Sequence, residues 1–116
     1  MKENIIKDKS FSFALRIVKF YQFFSESKKE YILSKQLLRS ATSVGAMIRE
    51  AEHAESRTDF IHKLSIGLKE ANESGYWLEL LYQSNYINQK QYDSLINDLT
   101  EILKILVSIL KKLKGK

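Results

Sequence analysis

The sequence predicts an all-α protein, an antiparallel up-down-up-down four-helix bundle of 116 residues. Three observations carry that prediction. Proline is absent and glycine occurs only four times, so little interrupts a chain rich in Leu, Ile, Lys, Glu and Ser. Apolar residues recur every three or four positions along four long segments, and no alternating strand pattern competes with them. Short polar stretches with helix-starting chemistry separate the segments, and short connections between helices of similar length make consecutive helices antiparallel neighbours.

The elements follow in order. Residues 1–10 read as a flexible N-terminal segment and residues 11–114 as the bundle domain. The first helix runs from about Phe11 to Ser25 and aims Phe13, Ile17, Phe20 and Phe24 at the core, with Arg16 and Lys19 on the other side. In "SESKKEY", Ser27 and Glu30 have capping-box spacing, which starts a second helix near Lys28 that continues to about Glu55. Its core line is Leu37, Ala41, Val44 and Ile48. Gly45 is tolerated inside it and offers a place where a neighbouring helix can approach closely. Ser56 and Asp59 repeat the cap spacing and open a third helix to about Tyr82, with Phe60, Leu64, Leu68, Ala71, Leu78 and Tyr82 inward. Asn88 and Gln91 start the fourth, which ends near Leu113.

Helix four carries Tyr92, Ile96, Leu99, Leu103, Leu106, Leu110 and Leu113 at strict 4-3-4-3 spacing, a heptad seam. Ile102, Ile105, Val107 and Ile109 flank it and widen the apolar arc to roughly 200°, where a one-sided bundle helix needs little more than 100°. Another subunit, a membrane surface or fuller burial within the monomer would cover the surplus. The expected cover is a second copy of the chain, with Ile102, Ile105 and Ile109 at the oligomer interface.

Cysteine is absent, which removes disulfides, thiol catalysis and thiolate metal sites and fits a reducing cytoplasm. The N-terminus lacks the apolar core of a signal peptide, and no run approaches a membrane span, so the expectation is a cytoplasmic protein without a membrane partner. The net charge of +5 is uneven. Residues 1–25 carry five Lys or Arg against two acids, residues 26–101 nine against twelve, and residues 102–116 five against none. Such basic ends attract phosphate backbones. Candidate contacts are Arg16 and Lys19 on helix one, Lys35 and Arg39 at i and i+4 on helix two, and Lys111, Lys112 and Lys114 at the end of helix four. Lysines in a last helical turn also complement the helix dipole, and a bundle path sets the basic chain ends beside the acidic corner between helices two and three.

Both histidines lie in "REAEHAESRTDFIH", each three residues after a carboxylate: Glu50 before His53 and Asp59 before His62. Di-iron bundles use such pairs. A bundle-core metal site needs inward ligands, however, and at 100° per residue these four point away from the core lines. No metal or cofactor is expected. Nor is an enzyme, because no phosphate loop, activated nucleophile or inward carboxylate pair is present. Glu52 and Glu55 come near the core line late in helix two, where solvation or pairing with Arg57 is the simpler role.

The run "KQLLRSATSVGAMIREAEHAESRTDFIHKLSIGLKEANESGYWLELLYQSNYI" resembles the four-helix bundle proteins grouped as 23S ribosomal RNA intervening-sequence proteins, sometimes labelled S23 ribosomal proteins. Their relatives include the accessory variability determinants of diversity-generating retroelements. The resemblance spans about residues 11 to 110. Gln36, Leu37, Arg39, Ser43, Ile48 and Glu50 match the family's helix-two pattern Q-L-x-R-A-x-x-S-I-x-x-N-I-A-E-G, while Met47 replaces its usual Asn and Ala51 its usual Gly. The resemblance implies a bacterial bundle that assembles as a homopentamer with a basic surface. It further implies nucleic acid, RNA or DNA, as partner in some members and a reverse transcriptase in the retroelement relatives. A protein-binding scaffold or accessory subunit without nucleic-acid contact is the alternative.

Overall fold

The computed structural model describes residues 2–115, with side chains from residue 5 onward. Four helices follow one another: α1 (Lys2–Lys28), α2 (Leu33–Ala51), α3 (Arg57–Gln83) and α4 (Gln89–Leu113). Each packs on the next, α4 closes back on α1, and neither diagonal pair comes close, which is the square section of an antiparallel four-helix bundle. The bundle measures 45 × 22 × 20 Å.

The first helix begins well before Phe11. Residues 2–10 continue α1, and Ile6 and Ser10 are buried, so the expected flexible segment over residues 1–10 is corrected to a part of the bundle. Ile6, Phe13, Ile17 and Phe24 form one line at spacings of seven, four and seven, and the Ile6 heptad extends the core by about two turns.

The turn into α2 is also corrected. α1 runs through Lys28, and Glu30, rather than Ser27, supplies the cap: its carboxylate accepts from the backbone N–H groups of Ile32, Leu33 and Ser34 at 2.8 to 2.9 Å. A glutamate reaches amides at the start of the next helix when the chain folds over it, and here the Ser34 hydroxyl locks that fold by donating to the Glu30 carbonyl at 2.8 Å. The other two caps are as the spacing predicts. Ser56 accepts from the Asp59 amide at 3.0 Å, and Asn88 with Gln91 forms a full capping box.

The face between α2 and α3 is built from small residues. Ala41, Ala71, Ser40, Ser74 and Gly67 are all buried. The Ser40 and Ser74 hydroxyls meet at 3.0 Å, where one donates to the other, and each also lies within hydrogen-bond reach of a carbonyl in its own helix, so neither is left unsatisfied.

On α4 the buried line is Leu95, Leu99, Ile102, Leu106 and Ile109, joined by Leu110, whereas Tyr92, Ile96, Leu103 and Leu113 are half-buried at its flank. Ile102 is fully buried and Ile109 is 5% exposed. Both belong to the monomer core, so Ile102 and Ile109 are corrected as the interface that helix four offers to a second copy, while Ile105 packs half-buried against that core. The reason is that α4 touches two neighbours. It faces α3 through Tyr92, which stacks on Tyr82, and α1 through residues rotated to the other flank. A helix in contact on two sides buries a wider arc than a single seam.

Candidate nucleic-acid interface

The predicted cationic residues divide into engaged and free. Arg16 spans from α1 to α4, where its guanidinium meets Asp98 at 2.5 Å and the Ser94 hydroxyl at 2.9 Å. Arg39 reaches from α2 to Glu70 and Glu73 of α3, and the Trp77 indole donates to the same Glu73 carboxylate at 3.0 Å. That network holds Glu73 below the ordinary carboxylate value, first through the Trp77 and then through the Arg39 hydrogen bond. Both arginines fasten helix to helix, so their charge is largely neutralised where it stands. Their role as phosphate contacts is thereby weakened. Lys19, Lys35, Lys111, Lys112 and Lys114 are exposed and make no ion pair with a described residue.

Two further lysines, absent from the candidates above, belong with them. Lys90 and Lys104 are exposed and unpaired among the described residues, and Lys90, Lys104 and Lys111 stand fourteen and seven residues apart. Multiples of seven keep side chains on one side of a helix. They therefore form a row along the outer face of α4, roughly 31 Å long at 1.5 Å per residue, with Asp93 and Asn97 in the gap. Toward its C-terminal end, Leu103, Lys104, Val107, Ser108, Lys111 and Lys112 line a shallow surface depression of about 560 Å³. The heptad spacing of these lysines is visible in the sequence, but it reads as a row only once the outward side of α4 is known.

The acidic corner pairs with the chain ends. Lys7 of α1 meets Glu52 at 3.3 Å, and Arg57 donates to the Leu113 carbonyl at 2.5 Å. Glu52 thus takes Lys7 rather than Arg57, and Glu55 is exposed. His53 and His62 are exposed as well. An open surface dish of about 460 Å³ is lined by Glu50, His53, Glu55 and Asp59 with Arg49 and Lys63. Its acids have other duties: Lys63 pairs with Glu50 at 3.2 Å, and Asp59 accepts from the Glu55 amide at 3.2 Å. Among the described residues no three of His, Cys, Asp and Glu come together as a metal-binding group.

A second surface feature lies between α1 and α2. Phe11 and Leu15, 55% and 44% exposed, form with Val18 a stripe roughly 150° from the core line of α1. With Ala14 and the small residues Thr42, Gly45 and Ala46 of α2 they line an apolar trough of about 350 Å³. Arg49 sits over the Phe11 ring at 5.4 Å from its centroid, a cation–π contact at the rim. No described helix is long and apolar enough to cross a membrane.

A crystal structure of a protein of unknown function from the S23 ribosomal protein family of Bacteroides thetaiotaomicron shares the fold, with a TM-score of 0.94 and 60% identity over 96% of this chain and 99% of that one. No curated protein matches the sequence. The family described as 23S rRNA-intervening sequence protein matches residues 2–108, and the chain belongs to that family.

Proposed function

We propose that this protein is a non-enzymatic, self-associating bundle that binds nucleic acid through the lysines of α4, with little choice of sequence. The observation that carries the reading is the row Lys90, Lys104 and Lys111, with Lys112 and Lys114 beyond it, exposed and without an ion pair among the described residues while the two arginines of the candidate set are tied to carboxylates. Lysines of this kind are point charges that contact phosphates; they provide affinity but do not read base edges. The test is the salt dependence of binding to a random-sequence polynucleotide. The slope of log affinity against log salt should fall by about 1.8 in the double variant Lys104→Gln with Lys111→Gln if each lysine releases about 0.9 counterion on duplex. Affinity indifferent to salt, or a slope unchanged by the double substitution, counts against the reading.

The same proposal includes a homo-oligomer, with the pentamer implied by the family resemblance as its state. What supports it is the trough between α1 and α2 rather than helix four. Phe11 and Leu15 leave a continuous apolar stripe open to solvent on a helix whose other side already fills the core, the kind of patch that marks an interaction surface. A scaffold that meets another protein, such as the reverse transcriptase partner of the retroelement relatives, would draw on this trough too. Absence of polynucleotide binding at low salt would favour that alternative.

A further inference from the structure

We propose that the nucleic acid bound by this bundle is a B-form DNA duplex, laid lengthwise along α4 so that Lys90, Lys104 and Lys111 meet three successive crossings of its phosphate backbones. The inference rests on the nucleic-acid reading above and deepens it by naming the form of the polynucleotide. The spacing of the row carries it. Fourteen residues separate Lys90 from Lys104 and seven separate Lys104 from Lys111, about 21 Å and about 10.5 Å along the helix axis. A line drawn along the outside of B-form DNA crosses one backbone, then the other beyond the major groove, then the first again beyond the minor groove, in a turn of about 34 Å. Those grooves are about 12 and about 6 Å wide, so they divide the turn roughly two to one, into about 23 and about 11 Å. The lysine intervals stand in that ratio, and each falls within about 2 Å of its groove, less than the reach of a lysine side chain. The row also drifts by about 20° per heptad, which the same flexible stems absorb.

The other charges of α4 fall where a groove would face them. Its acids, Asp93, Asp98 and Glu101, all lie in the longer interval, and Lys104, Lys111, Lys112 and Lys114 follow with no acid among them. Asp98 and Glu101 are paired from α1 by Arg16 and Lys9, and Asp8 of α1 lies with them in the groove beside that interval. Asp93 is exposed, as are the uncharged Asn97 and Thr100. Between Lys104 and Lys111 the exposed side chain is Val107, also uncharged. A carboxylate repels a phosphate but not an empty groove, so cations separated by bare or acidic intervals match a duplex. A flexible single strand brings its phosphates to cations at any spacing and gains nothing from the interval, and α4 has no exposed aromatic ring on which its bases could stack. An A-form duplex, with a deep, narrow major groove and a wide, shallow minor one, does not divide its turn in this way.

Fluorescence anisotropy over a salt series tests this with three labelled ligands: a random-sequence DNA duplex of about 20 base pairs, the RNA duplex of the same sequence, and oligothymidylate of equal length. The parent protein should bind the DNA duplex about five- to tenfold tighter than either other ligand, the electrostatic worth of one phosphate contact near 0.1 M salt. Thr100→Lys with Lys104→Gln keeps the net charge and the outer face but moves the middle cation by about 6 Å, off the backbone crossing. It should weaken binding of the DNA duplex by about five- to tenfold and leave the single strand as in the parent. Asn97→Lys places a cation in the middle of the longer interval. It should steepen the salt slope on the single strand by about 0.7 and on the DNA duplex by less than half of the 0.9 that a full phosphate contact releases. Circular dichroism confirms that both variants, altered only at exposed positions, keep their helix. Equal or tighter binding of the RNA duplex or the single strand, or a moved cation that leaves DNA duplex binding unchanged, overturns the inference while leaving the nucleic-acid reading in place. Binding of none of the three ligands overturns both.

Discussion

Glu30 is 9% exposed and accepts three backbone N–H groups of the incoming α2. Burial pushes its carboxyl up, but the amides of Leu33, Ser34 and Ile32 with the Ser34 hydroxyl outweigh that push and hold it below the ordinary carboxylate value. A group depressed in the folded state contributes stability that is complete above its unfolded value and is lost as pH falls through the folded one. Urea midpoints should therefore drop on the acid side of the ordinary carboxylate range, and the drop should be smaller in Glu30→Gln. At neutral pH, Glu30→Ala should cost about 1 to 3 kcal/mol, because three amides at the start of α2 lose their acceptor. A variant as stable as the parent, with the same acid profile, would show that water replaces the carboxylate at no cost. Why the sequence points to Ser27 here is physical: a serine three residues before a glutamate is the usual capping geometry, and only the path of the chain over residues 29–32 turns the glutamate from partner into cap.

At the scale of the helix, α4 separates core from surface within three residues. Ile109 is 5% exposed and Val107 39%. Ile109→Ala should cost about 2 to 5 kcal/mol in a chemical denaturation series and Val107→Ala no more than about 0.5 kcal/mol. Comparable losses at both positions would mean that α4 is rotated relative to the arrangement described above. On α2, Gly45 lies under the Ser10 backbone of α1, and a methyl placed on it would meet the Ser10 carbonyl oxygen at 3.6 Å, an ordinary contact. The close approach that a glycine suggests in the sequence is thus real but leaves room for a side chain. Gly45→Ala should raise stability by roughly 0.5 to 1 kcal/mol through the unfolded chain. A fall in melting temperature would show that α1 must shift to admit the methyl. The same substitution narrows the trough, so its effect on assembly reads the trough independently of its effect on stability.

For the whole molecule the open question is what meets Phe11 and Leu15. A stable protein interface buries about 800 Å² on each partner, and a charge set in the middle of an apolar patch opposes it without touching a core on the far side of the helix. Leu15→Glu is therefore expected to convert the assembled protein to smaller species by light scattering on a sizing column, with its helical circular dichroism intact. A parent that already runs as a monomer would remove the self-association proposal, and loss of helix in the variant would place Leu15 in the monomer's own packing. The α1–α4 seam bears on the same question, since it is joined at its rim by Arg16 with Asp98 and by Lys9 with Glu101, exposed pairs that contribute little to stability in solution.

Helix number, helix order, two of the three caps and most core positions were legible in the sequence because each depends on residues within a turn or two of one another. Phe13, Ile17 and Phe24 on α1, and Leu37, Ala41, Val44 and Ile48 on α2, are buried where the 3.6-residue period places them. The tertiary structure alone decided how far each helix is rotated about its axis and which charges meet. A period names a line of apolar residues but not the number of neighbouring helices, and α4, with two neighbours, draws Ile102 and Ile109 into the core that a single seam would leave at its edge. For the same reason Arg16 and Arg39 look like free cations in the sequence: their partners Asp98 and Glu73 lie 82 and 34 residues away in the chain and come within reach only when the helices pack.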